Sequence, residues 1–187
     1  GGGIALSDGE RAWWIDEDLL SGSLEELRNM LGPAGPGVVA HDAKPALRAM
    51  ARLGLDEVAL VMDTALAAYL LDPADAGYDL ATLLERHDGR SLPDLGLPDG
   101  QLDLSGETSD PAVEAGVRAA AAATLQEPLL AALEAPSLRQ LNATLEVPLV
   151  AVLARMEELG VGVDVAELTR LRDQLTSDCD RLRGTVH

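Results

Sequence analysis

Phenylalanine is missing from this sequence of 187 residues, and tryptophan and tyrosine occur only twice each. A core without large aromatics must be filled by leucine, valine and alanine. The 47% hydrophobic content supplies enough of them for one substantial globular body with an appended helical element. Lysine is nearly missing too: of 14 basic residues only Lys44 is one, against 32 acidic residues and a formal net charge of -18. So acidic a surface repels phosphate backbones instead of displacing their counterions, which argues against tight nucleic-acid binding by this chain alone. The single cysteine, Cys179, excludes an internal disulfide and any multi-cysteine metal site, and fits a reducing, cytoplasmic compartment. No apolar run reaches the ~18–20 residues of a bilayer span and no charged-then-apolar leader opens the chain, so no membrane contact is expected.

What is present reads as alternating strands and helices. "GIALSDGERAWWID" predicts a hairpin, Ile4 to Leu6 and Ala12 to Ile15 around the turn Ser7-Asp8-Gly9-Glu10. "SLEELRNMLGP" predicts a short helix with Ser23 as N-cap, Glu26 closing a capping box and Gly32-Pro33 as the stop. "GVVAHD" gives a third strand, and Asp42 is placed to cap the helix that follows, whose core face carries Leu47, Met50 and Leu53 or Gly54. "EVALVMDT" is a fourth strand running into an Asp63-Thr64 cap; "ALAAYLL" is a helix ending at Asp72-Pro73, and Asp79 caps another in "YDLATLLERHDG". This order predicts an α/β body with a mixed sheet and flanking helices. Residues 88–111, dense in Gly, Pro, Asp and Ser without periodicity, predict a long exposed loop.

Asp110 and Pro111 then open a helix containing "VRAAAAATLQ", which Pro128 must kink or restart. From Ser137 the pattern is all-helical: one long helix bent at Pro148 and ended by Gly160, an extended "VGVD", and a last helix capped by Asp164 and Glu167. Its apolar positions, Val165, Leu168, Leu171, Leu175, Cys179, Leu182 and Val186, form one narrow stripe suited to a partner helix. A glycine run directly before a strand at one end, and His187 inside an amphipathic helix at the other, lead to the expectation that both ends are cuts through a larger protein.

Three stretches are jointly specific: "VVAHDAKPALRAMARLG" (38–54), "DTALAAYLLDPADAGYDLATLLERHDGR" (63–90) and "LEVPLVAVLARMEELGVGVDVAELTRL" (145–171). Together they resemble the bacterial DNA polymerase I family, family A polymerases, across the 3'-5' exonuclease-like domain and the start of the polymerase thumb. The resemblance implies a ribonuclease H-like, DEDD exonuclease-like fold over 1–135, its first strand lying upstream, and thumb helices over 136–187. It also implies a parent that copies a DNA template with magnesium held by its palm. DNA would then be met through the parent, with palm and fingers as partners in cis near the nucleoid. No cofactor is expected in this segment.

In proofreading members of that family, carboxylates from several motifs hold two divalent metal ions that activate water, and such ions demand hard oxygen ligands. The first motif, Asp-x-Glu, belongs to the upstream strand. The second, in the order Lys, Tyr, Asp, is matched here by Lys44, Pro45 and Ala46; the third, Tyr-x-x-x-Asp, aligned on Thr124-Leu125-Gln126, places Gly116 at the tyrosine and Ala120 at the aspartate. A slip of one residue at Ala120 lands on another alanine. The resemblance therefore implies a vestigial exonuclease acting as structural support, with no catalytic or metal-binding residue in this segment. Two alternatives stay open. One is an active exonuclease with displaced carboxylates, Asp42, Asp63 and Glu114. The other is an acidic protein-interaction module.

Other tempting residues read more simply as structure. His41-Asp42 lacks a nucleophile partner, and Asp63 is a helix cap before it is a ligand. Of Trp13-Trp14, one is expected to pack in the core and the other to cover an edge, without basic residues interleaved. Cys179 is expected to act as a small hydrophobe, and His87 and His187 have no metal-ligand spacing with His41.

Overall fold

The computed structural model describes residues 2–75, 77–93, 110–134 and 137–186. It divides into two compact units, Gly1–Arg155 and Met156–His187. Most of the expected loop, residues 94–109, lies outside the described residues, as do His187 and the side chain of Val186.

The hairpin forms as predicted: β1 (Gly3–Ser7) pairs antiparallel with β2 (Ala12–Asp16). The Asp8 carboxylate accepts the N–H groups of Glu10 at 3.0 Å and Arg11 at 2.7 Å, and Gly9 supplies the positive φ of 94° that the turn needs. A short helix absent from the sequence reading follows, α1 (Glu17–Gly22), capped by the Asp16 side chain on the N–H of Leu19. The next, α2 (Leu24–Leu31), is the predicted helix, but the Ser23 capping box is not made. Ser23 already ends α1, its N–H donating to the Leu20 carbonyl, and this turn leaves no side-chain cap bond.

β3 (Val38–Ala40), α3 (Ala43–Arg52), β4 (Leu60–Asp63) and α4 (Thr64–Leu71) follow, with β3 and β4 parallel and Ala40 opposite Asp63. The mixed pairing is thus present as two two-stranded ladders among the described residues, one antiparallel and one parallel. α5 (Leu80–Asp88) is capped by Asp79 on the N–H of Thr82 and closed by Gly89 with φ 78°. α6 (Pro111–Thr124) opens at Asp110 as expected and lies against β1, β2 and β3. Beyond Leu125 the helix restarts as α7 (Gln126–Glu134), so Pro128 sits in a first turn where its missing N–H is harmless.

Leucine fills the interior in place of phenylalanine. Leu83, Leu125, Leu129 and Leu133 are fully buried with Met62, Ala67 and the alanines Ala121 and Ala122 of α6. A second cluster, Leu20, Leu27, Leu31, Met50 and Leu55, lies under the hairpin residues Ile4, Leu6 and Ile15.

The predicted long helix runs unbroken from Arg139 to Leu159, but its irregularity lies just before Pro148. α8 (Arg139–Leu141) runs into a π-helical turn, Asn142–Glu146, and then α9 (Val147–Leu159). The inward positions explain this: Leu138 and Asn142 are four apart, Asn142 and Val147 five apart, and Val147, Val150 and Ala154 return to helical spacing. A five-residue step falls out of phase with 3.6 residues per turn, and the wider π turn absorbs it. Pro148 also lacks the N–H that an α-helix would aim at the Thr144 carbonyl.

In the second unit, Gly160 ends α9 with φ 68°, and α10 (Val165–Val186) begins with Asp164 accepting the Glu167 N–H at 2.9 Å. The Glu167 side chain pairs with Arg170 instead of reaching back, so only half of the expected capping pair forms. The stripe residues Val165, Leu168, Leu171, Leu175 and Leu182 are 41–68% exposed, so α10 presents an apolar face to solvent. Cys179 is exposed beside them.

Candidate functional site

The carboxyl ends of β3 and β4 bring the starts of α3 and α4 together at one buried carboxylate. Asp63, 5% exposed, accepts four backbone N–H groups: Asp42 at 3.1 Å, Ala43 at 2.7 Å, Ala65 at 3.0 Å and Leu66 at 3.4 Å. It therefore caps both helices, satisfying donors that each would otherwise bury unpaired. The expectation that Asp42 caps α3 is corrected. Asp42 adopts a left-handed conformation, φ 50° and ψ 63°, and its side chain makes no cap bond. That conformation turns two successive N–H groups into a small anion cradle, which the Asp63 carboxylate fills.

His41 stands beside this junction, its Nδ1 2.9 Å from the Thr64 hydroxyl. Burial pushes its pKa below the ordinary value, and Arg118 adds to the effect while the carboxylates of Asp63, Asp42 and Asp79 oppose it. Ala46 lies one helical turn beyond Asp42 on α3 and is partly buried. Across the ladders, Gly116 of α6 is buried where a Cβ would meet the Ala12 Cβ of β2 at 3.3 Å. Ala120, one turn on, is partly buried. Helix α6 thus serves two faces: Ala121 and Ala122 enter the leucine core, while Gly116 approaches the hairpin at small-residue distance.

Glu114 is exposed in the first turn of α6. Asp42 and Asp63 meet, but through the Asp42 N–H and not as paired ligands. Among the described residues no group of three or more His, Cys, Asp or Glu side chains lies close enough together to hold a metal ion. The methyl side chains of Ala46 and Ala120 offer no oxygen to a metal ion.

Two features escaped the sequence reading. Trp13 is 46% exposed with the Arg11 guanidinium 5.3 Å from its ring centroid, so a basic residue does accompany the tryptophans. Trp14 covers Gly3, where a Cβ would come within 2.3 Å of the indole; the glycine that opens β1 was the signal. An open groove of about 300 Å³ is also present. It is bounded by Asp42, Lys44 and Glu146, by the edge-to-face pair Tyr69 and Tyr78, and by Leu153.

Comparison with known proteins matches this architecture. The family model for the DNA polymerase I ribonuclease H-like domain covers residues 2–94, which include both ladders and the Asp63 junction. The DNA polymerase I of Geobacillus stearothermophilus is 33% identical over 148 residues, 78% of this chain. That of Mycobacterium tuberculosis is 31% identical over 174 residues, 91% of this chain. The chain belongs to the bacterial DNA polymerase I family. It spans 17% to 19% of the length of these relatives. The POL domain of Pol1 from M. smegmatis, solved in complex with DNA primer-template and dNTP, superposes with a TM-score of 0.73 at 27% identity, over 92% of this chain and 28% of that one. The DNA polymerase I segment seen here therefore carries a ribonuclease H-like exonuclease domain followed by helices like those of a polymerase thumb. No helix among the described residues is long and apolar enough to cross a membrane.

Proposed function

We propose that this segment is a catalytically silent exonuclease-like domain, retained as structural support for a DNA polymerase I that performs template-directed synthesis and repair. The observation that carries the reading is the pair Ala46 and Ala120, methyl groups at the positions that match metal-binding aspartates of proofreading relatives. The Asp63 junction adds to it, since the buried carboxylate among the described residues is already taken up by four N–H groups. In this reading the parent meets DNA and magnesium through a palm and fingers in cis, and this acidic segment contributes little to DNA binding.

A manganese soak tests the assignment. Crystals of the polymerase carrying this segment are expected to show no anomalous density among Asp42, Asp63 and Glu114. A pair of peaks ligated by those carboxylates would establish the displaced-ligand exonuclease instead.

A further inference from the structure

We draw no further inference here: the strongest candidate, the apolar face of α9 at the groove walled by Tyr69, Tyr78, Leu149 and Leu153, is an unpartnered surface, and nothing in the structure shows what covers it.

Discussion

Asp63 concentrates in one side chain what the sequence distributes over two helix starts. An aspartate directly before a helix is legible as its cap, and that half of its role was expected. Its second helix was not legible, because the N–H groups of Asp42 and Ala43 reach it only through the β3–β4 register that sets Ala40 opposite Asp63. Replacing it should cost accordingly: Asp63→Ala is expected to lower unfolding free energy in urea by about 3 kcal/mol, two caps and a buried set of donors lost together. Asp42→Gly is expected to act in the opposite direction, by about 0.5–1 kcal/mol, because its left-handed backbone suits glycine and its carboxylate caps nothing.

His41 makes a separate prediction. Its pKa in the folded state lies below the ordinary 6.5, so between that value and the folded one the unfolded chain binds more protons. The stabilising contribution of the neutral ring is complete above pH 6.5 and is lost as pH falls toward the folded pKa. Urea titrations at stepped pH should therefore show wild type losing stability relative to His41→Gln on acidification. A constant difference between the two would contradict the assignment.

Helix α6 and the π turn show which features of an element a single sequence carries. The alanine run announced a closely packed helix, and Gly116 inside it was a signal of backbone approach that the Ala12 contact now explains. Asp110 and Pro111 marked its start without help from the fold. The phase slip between Asn142 and Val147 was hidden, because Pro148 supplied a ready explanation for a bend and the inward positions become known only once packed. Asn142, 2% exposed with Oδ1 unpartnered, would not have been placed inside by polarity. Deleting Thr144 restores four-residue spacing to Val147 and should convert the π turn to α-helix, with stability changed by no more than about 1 kcal/mol. Deleting Leu149 instead leaves a two-residue step from Val147 to Val150, which turns Val150 and Ala154 out of the core and should cost about 2–5 kcal/mol. Thermal melts followed by circular dichroism distinguish the two.

Across the whole molecule, the α/β body was legible because strand and helix signals alternated clearly, even where the caps at Ser23 and Asp42 did not form. The division into two ladders was not, since pairing partners depend on contacts distant in sequence. The proposed function rests on a substitution in the sequence: alanines and a glycine at positions where the family resemblance calls for metal-binding carboxylates and a tyrosine. The fold keeps its leucine core and its capped helix starts around those positions, as a retained scaffold would. The direct measurement is the fate of a 3'-end-labelled single strand incubated, without nucleotides and in magnesium or manganese, with the polymerase that carries this segment. The account predicts that the terminal label stays in place. Chelator-sensitive release of 3' nucleotides, abolished by Asp42→Ala or Glu114→Ala, would contradict it.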